Sequence, residues 1–394
     1  MKQLFRKCPV CLSERGKVLG EVNMALNSTL NLPACYDIVV CDKCGFAFAD
    51  TPSTQDDYNA YYSSDNCYAD EGEVKKNAKQ QSVKAIADFI EKFVEKDESV
   101  IDIGCGSGDL LLELKNRGYI NVCGVDPSPK SIEVIKKKGI KGKVANAFDK
   151  VNEDIEKSDV VISTCVMEHI CDLNGFIEAI KGYIKDKGKL LIVVPAVEGF
   201  GKYYQSKPNY FNHEHINYFS KQSLINLLGA NGFESLTDDG EFYEVRLSND
   251  VADVMIENIF LLNMNNTYAI KEDQVSEKII SEYLEKAKCE EERIKELINI
   301  IENKYEKCIV WGAGSMAMQL MSERCFAEKV LFIVDNNIQK WGKDIAGIQI
   351  NNPDILLEKD NPKVPIVILC MQYSDAIIRQ IREMKIENEI IVCN

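Results

Sequence analysis

Four cysteines fall into two C-x-x-C pairs, Cys8-Pro9-Val10-Cys11 and Cys41-Asp42-Lys43-Cys44, with 29 residues between them. Each pair can form a tight knuckle that turns two thiolates toward one tetrahedral cation, and Gly45 relieves the second turn. Zinc suits four sulfur ligands, and a closed set of four leaves no place for water, so the metal is expected to be structural. Cys35 stands alone between the pairs and is expected to be a buried thiol rather than a fifth ligand. The chain has only three histidines, His169, His213 and His215. Two of them lie in Asn212-His213-Glu214-His215-Ile216-Asn217-Tyr218-Phe219-Ser220. An imidazole there can take a proton near neutral pH, and an adjacent carboxylate such as Glu214 can orient it. Metal ligation by the i, i+2 pair, or capping of a helix after Ser220, are the other roles open to this segment.

A third chemical feature is a glycine loop, Asp102-Ile103-Gly104-Cys105-Gly106-Ser107-Gly108. Alternate glycines between a buried strand and a helix let a ligand approach the backbone and meet the helix N-terminus. The G-x-G-x-G spacing differs from the G-x-G-x-x-G of dinucleotide binders. The next strand is expected to end at Asp126, 18 residues beyond Gly108, where a carboxylate can accept both ribose hydroxyls. A second loop, Gly312-Ala313-Gly314-Ser315-Met316-Ala317, precedes Asp335-Asn336-Asn337 in the same manner and reads as G-x-G-x-x-A with a following acid. It admits a nicotinamide dinucleotide or a nucleotide diphosphate.

The elements that must position these groups follow from hydrophobic spacing. Short apolar runs at 100–103, 122–125, 160–164 and 190–194 alternate with amphipathic helices, predicting a parallel α/β sheet. A tyrosine-rich stretch from Tyr58 through Tyr61 and Tyr62 to Tyr68 reads as a lid or linker, and a helix is expected over 75–96. Residues 276–305 lack glycine and proline and predict one long helix, after which a second α/β unit starts at Cys308. Three parts result: a zinc module with its lid over 1–74, a ligand-binding α/β domain over 75–264, and the long helix plus a second Rossmann-like domain over 265–394.

Composition narrows the function classes. The 394 residues, 45% hydrophobic and 28% charged, suffice for two or three cores. A net charge of -15 opposes general binding to nucleic acid. No apolar run reaches the roughly 18–20 residues of a membrane span. Fifteen cysteines, an odd number without a disulfide-like framework, fit a reducing compartment. A cytoplasmic protein that needs neither membrane nor nucleic acid is expected.

The segment around Asp102, Gly104, Gly106 and Gly108 resembles the first motif of class I S-adenosylmethionine-dependent methyltransferases, and Asp126 resembles the acidic end of their second strand. Asn146-Ala147-Phe148 falls where that family has an Asp followed by a small residue beside the adenine. Cys165-Val166-Met167-Glu168-His169-Ile170 follows the fourth strand, where the family often carries a Glu-His pair near the transferable methyl. The order of parts, from four-cysteine module to terminal Gly-Ala-Gly unit, is similar to that of the zinc-containing sugar C-methyltransferases, which methylate a carbon of nucleotide-linked deoxy keto sugars. That resemblance implies His215 as base, Glu214 as its partner, His169 as a second histidine and Tyr61 as the lid tyrosine. It also implies adenosylmethionine and structural Zn2+ as cofactors and a nucleotide-linked sugar as substrate. O-methylation of a sugar hydroxyl would use the same base and donor. An NAD-dependent oxidoreductase built on the Gly312 loop and a scaffold without activity are the remaining readings.

Overall fold

In a computed structural model of the protein, residues 1–26, 32–63, 73–149, 156–203, 206–247, 251–358, 362–370 and 373–392 are described; Tyr68, the expected end of the tyrosine stretch, lies outside them. The chain divides into two compact units, each drawn from three stretches. The first comprises residues 1–20, 37–204 and 214–283, the second residues 21–36, 205–213 and 284–394.

The N-terminal strands are β1 (Lys2–Gln3), β2 (Arg15–Asn23), β3 (Cys35–Cys41) and β4 (Ala47–Asp50). Helices α1 (Gln55–Ser63) and α2 (Glu73–Ile90) follow. The main domain continues with β5 (Val100–Ile103), α3 (Asp109–Asn116), β6 (Val122–Asp126), α4 (Pro129–Lys137), β7 (Lys141–Val144), β8 (Ser158–Thr164), α5 (Leu173–Tyr183) and β9 (Ile184–Pro195). A short strand β10 (Asn217–Tyr218), α6 (Lys221–Ala230) and the strands β11 (Phe233–Ser235), β12 (Glu241–Arg246) and β13 (Ala252–Leu262) complete it, and α7 (Ser276–Lys304) fills the expected long-helix span.

The large sheet runs β11-β13-β9-β8-β5-β6-β7, with β12 paired to β13. Strands β5 to β9 are parallel, whereas β13 lies antiparallel between β9 and β11. The antiparallel β13 distinguishes the sheet from the classic dinucleotide-binding order of six strands, which is mostly parallel. Each central strand is buried on both sides, so its sequence is a continuous apolar run in which alternate residues enter different cores. Ile101, Val161, Leu190, Ile192 and Val194 face one core. Val100, Val160, Ile162, Leu191 and Val193 face the other. Full burial of each such side chain contributes about 1.5–3 kcal/mol. The strand order reverses between β5 and β8, and the crevice at their carboxyl ends is where ligands of open α/β sheets bind.

The smaller sheet runs β1-β2-β3-β4-β10, so the histidine segment ends in a strand that pairs with β4. Asp273 joins three parts of the first unit. Its carboxylate accepts from Ser220 Oγ and Ser276 Oγ, both at 2.6 Å, and its N–H donates to the Cys44 carbonyl at 2.8 Å. It thereby caps α7 and ties the helix start to the second cysteine knuckle.

The second unit contains β14 (Cys308–Trp311), α8 (Ser315–Met321), α9 (Arg324–Ala327), β15 (Val330–Val334), β16 (Asp344–Ile345), β17 (Ile348–Asn351), β18 (Ile366–Ile368), α10 (Ser374–Glu383) and β19 (Ile390–Val392). Its sheet order is β16-β17-β15-β14-β18-β19, parallel except for the β16–β17 hairpin. Ile294, Ile298 and Ile301, one stripe of α7, pack into its core. Among the described residues no helix is long and apolar enough to cross a membrane.

Candidate active site and metal centre

Strand β5 delivers Asp102 to a nearly closed interior, where it is 2% exposed and its Oδ1 lacks a hydrogen-bond partner among the described residues. Burial, helped by the negative charge of Asp126, pushes the Asp102 carboxyl up to about 7. After Ile103 the chain turns through three glycines with φ of 78°, 51° and 70°. A Cβ on Gly104 would meet Val166 Cγ2 at 2.6 Å and one on Gly108 would meet Ile135 Cγ2 at 2.4 Å, whereas one on Gly106 would meet only open space. The first and third glycines close the turn, and the second leaves room beside the backbone. Gly106 N–H donates to Asp126 Oδ2 at 2.8 Å and Ser128 N–H to Asp126 Oδ1 at 2.9 Å, so the carboxylate at the end of β6 is fixed against the loop. Burial raises the Asp126 carboxyl above its ordinary range.

Asp126 pairs in register with Val144, which places Asn146, Ala147 and Phe148 just beyond the same sheet end. Asn146 Oδ1 accepts from Phe148 N–H at 3.1 Å inside a tight turn, and the Phe148 ring meets Phe176 edge-on at 6.1 Å. An orphaned buried carboxylate oxygen, an open space at Gly106 and a second carboxylate on the neighbouring strand fit the sulfonium, methionyl and ribose groups of adenosylmethionine.

The histidines and their neighbouring carboxyls converge beside this loop. Asp102 pairs in register with Ile162, so β8 ends at the same edge, and Cys165 turns the chain with a left-handed φ of 54° into the short turn Met167–His169. Glu168 is 1% exposed, its Oε2 has no hydrogen-bond partner among the described residues, and burial raises its carboxyl above the ordinary range. His169 Nδ1 lies 3.0 Å from the Glu214 carbonyl and 2.9 Å from the Tyr62 hydroxyl. A carbonyl only accepts, so the proton sits on Nδ1 and the lone pair on Nε2, which faces Glu168 Oε1 at 3.9 Å.

The His215 segment is clamped onto this turn by main-chain and side-chain bonds. Ile216 N–H donates to the Glu168 carbonyl at 2.8 Å, and Asn217 Nδ2 donates to the carbonyls of Met167 and Ile170, both at 2.8 Å. The Arg6 guanidinium donates to the carbonyls of Ile216 at 3.3 Å and Ile170 at 3.2 Å and to Asn217 Oδ1 at 2.7 Å. The rings of His169 and His215 meet nearly edge-on, 4.8 Å between centroids. Tyr61 O–H donates to Glu214 Oε1 at 2.5 Å, so α1 brings two tyrosines over the histidines.

The structure thus gathers Tyr61, His169, Glu214 and His215 in one cluster. It corrects the reading of the whole tyrosine stretch as lid or linker: Tyr58 is 2% exposed and belongs to the interior. Tyr58, Tyr61 and Tyr62 stand three and four apart on one side of α1, but Tyr58, one turn earlier, is covered by the interior, whereas Tyr61 and Tyr62 reach Glu214 and His169. Glu168, the first member of the Glu-His pair, and Tyr62 of the lid stretch join the cluster, although sequence had proposed neither as a catalytic residue. Arg6 and Asn217 are positioning residues; Arg6 carried no signal beyond standing two places before Cys8.

The four cysteines also meet. Cys8 and Cys44 Sγ lie 3.5 Å apart, Cys11 and Cys41 Sγ lie 3.3 Å apart, and all four sulfurs fall within 4.8 Å of one another. Zn–S bonds of about 2.3 Å imply S···S separations near 3.8 Å in a tetrahedron, so the set fits zinc. The knuckles match: Leu12 N–H donates to the Cys8 carbonyl at 2.9 Å, and Gly45 N–H to the Cys41 carbonyl at 3.1 Å. Neighbouring sulfurs and burial push the Cys8 thiol up, a repulsion that a bound cation would reverse. Cys35 is exposed, contrary to the expectation of a buried thiol, because it opens β3 on a side chain directed away from the core.

Residues 77–237 match the family described as a methyltransferase domain, and residues 304–392 match that described as C2185-like, N-terminal. The chain is 35% identical over 101 residues to the ubiquinone biosynthesis O-methyltransferase of Pelagibacter ubique, covering 25% of this chain and 42% of that one. It is 30% identical over 104 residues to the ribosomal protein L11 methyltransferase of Dictyoglomus thermophilum, covering 26% and 34%. The chain therefore spans well under half the length of these two relatives. Among solved structures, the 1,6-didemethyltoxoflavin-N1-methyltransferase of Burkholderia thailandensis is similar at 14% identity and a TM-score of 0.41, covering 57% of this chain and 97% of that one. With its glycine turn, its strand-end carboxylate and its sheet order, the stretch 77–237 is a class I S-adenosylmethionine-dependent methyltransferase domain.

Proposed function

We propose that the protein transfers a methyl group to a carbon of a nucleotide-linked deoxy keto sugar, with His215 as the base. The observation that carries this reading is the cluster of two imidazoles, a buried carboxyl and two phenols beside the cofactor turn: proton-transfer groups without an activated nucleophile. Asp102, Gly104, Gly106, Gly108 and Asp126 would hold adenosylmethionine, with Asn146, Ala147 and Phe148 at the adenine. When bound, it supplies an electrophilic methyl group for the enolate carbon.

The chain's own residues do the rest. A proton beside a ketone becomes removable when the forming enolate oxygen is stabilised, and His215 takes that proton while the Tyr61 hydroxyl turns from Glu214 to donate to the oxygen and His169 lines the pocket. The Glu214 side chain holds Tyr61, and its carbonyl fixes the tautomer of His169. Arg6 and Asn217 keep the two histidine segments in register, which fixes the approach of base to substrate. Cys8, Cys11, Cys41 and Cys44 would hold zinc as a structural ion that keeps the strand start carrying Arg6 in place. In this reading residues 1–74 form the zinc module and lid, 75–264 carry out transfer, and 265–394 bind substrate. The Gly312 turn then serves the nucleotide diphosphate, and Asp335, which accepts from Ala313 N–H at 2.7 Å, repeats the Asp126–Gly106 contact.

His215→Ala tests the base role. The expected result is a fall in kcat of about 10²–10⁴, with adenosylmethionine affinity unchanged in calorimetry; retained turnover removes His215 from that role.

A further inference from the structure

The same cluster has a property that proton transfer does not use. Glu168, His169 and His215 bring one carboxylate oxygen and two ring nitrogens within 4.8 Å of one another. Two imidazoles and a carboxylate form the ligand set of open metal sites, with positions left for water or substrate. Three independent features prepare the set. Glu168 is almost wholly buried, and among the described residues its Oε2 has no hydrogen-bond partner, a costly arrangement that a cation would relieve. His169 donates Nδ1–H to a main-chain carbonyl, the outer-shell bond that directs the Nε2 lone pair toward a metal. The backbone bond from Ile216 N–H to the Glu168 carbonyl and the clamp of Arg6 and Asn217 hold the two ligand segments together without using the ligand atoms.

We propose that Glu168, His169 and His215 form a second, open site for a divalent transition-metal ion such as Zn2+ or Co2+, separate from the four-cysteine site. The donors must draw in by about 1 Å to surround an ion with bonds of 2.0–2.2 Å, a movement within reach of side-chain rotation. Nitrogen and oxygen donors suit zinc, cobalt and nickel and give no advantage to magnesium or calcium. A bound ion occupies the lone pair with which His215 would accept a proton, so metal occupancy and enolate formation exclude each other. This consequence for activity rests on the base role assigned to His215; the site itself does not.

The test uses the full chain with zinc in its four-cysteine site, titrated with Co2+. The expected result is one further equivalent bound, with visible d–d absorption and no sulfur-to-cobalt charge-transfer band. Glu168→Gln, which removes a buried charge and leaves the shape, should weaken Co2+ by at least about tenfold, and His215→Gln likewise. Absence of the further equivalent, or Co2+ affinity in both variants unchanged from that of the unsubstituted chain, overturns the site. Methyl transfer is then assayed with and without the ion: inhibition supports mutual exclusion, whereas stimulation upholds the site and removes His215 as the base.

Discussion

Asp102 carries the most consequence for its size. In the unfolded chain a carboxyl of this kind loses its proton near pH 4, whereas burial holds the folded Asp102 proton until about 7 and the Glu257 proton until about 8. Between those limits the folded state binds more protons than the unfolded one, so stability falls as pH rises from about 4 to about 8 and then levels off. At about 1.4 kcal/mol per pH unit the fall should amount to at most roughly 4 kcal/mol for each group, read from urea midpoints across that range. Asp102→Asn removes most of the Asp102 share and raises the melting temperature at pH 8, while weakening adenosylmethionine; an unchanged pH slope would mean that Asp102 ionises normally. A cationic ligand at this carboxyl also expels its proton, so cofactor binding near pH 6.5 should release protons. Calorimetry in buffers of different ionisation enthalpy measures that release.

At the scale of elements, periodicity proved a good guide where the chain is buried on both sides. The run at 100–103 is β5 to the residue, and the glycine-free stretch beginning at Ser276 is α7. Glycine spacing revealed the ligand turn because three positive φ angles need glycine there. Distant partnerships left no such mark: nothing in the spacing says that Arg6 bonds to Ile170, 164 residues away, or Asn217 to Met167, 50 residues away, and Glu168 acquires its character only from burial. The two cysteine knuckles give a direct check on element geometry. Leu12 occupies, at φ 60°, the place that Gly45 takes at φ 75°, and its side chain is 65% exposed. Leu12→Gly should therefore stabilise the knuckle by up to about 1 kcal/mol, read as a rise in melting temperature. Gly45→Ala brings a Cβ within 2.2 Å of the Asp273 carbonyl and should lower zinc retention and stability together.

For the whole molecule, the architecture is what the sequence conveyed least. Both compact units draw on three separated stretches, and each stretch looks locally ordinary, so hydrophobic spacing cannot register their assembly. A short path joins the four-cysteine set to the histidine cluster: Arg6 lies two residues before Cys8 and bonds to both histidine-bearing segments. Cys41→Ser should lose zinc and most methyl transfer while keeping adenosylmethionine affinity within about threefold. A metal-free variant with full turnover would break that coupling. Arg6→Ala with zinc retained should lower kcat without releasing the metal, which separates the clamp from the ion.

The central claim is carbon methylation beside a ketone. Its most direct test is transfer of an isotopically labelled methyl group from adenosylmethionine to nucleotide-linked keto sugars and to the same sugars with the ketone reduced, with the product methyl identified by NMR. The account predicts a carbon-bound methyl, formed only with the keto sugars. An oxygen-bound methyl, formed also with the reduced sugars, would leave the cofactor domain in place and contradict the enolate chemistry assigned to His215.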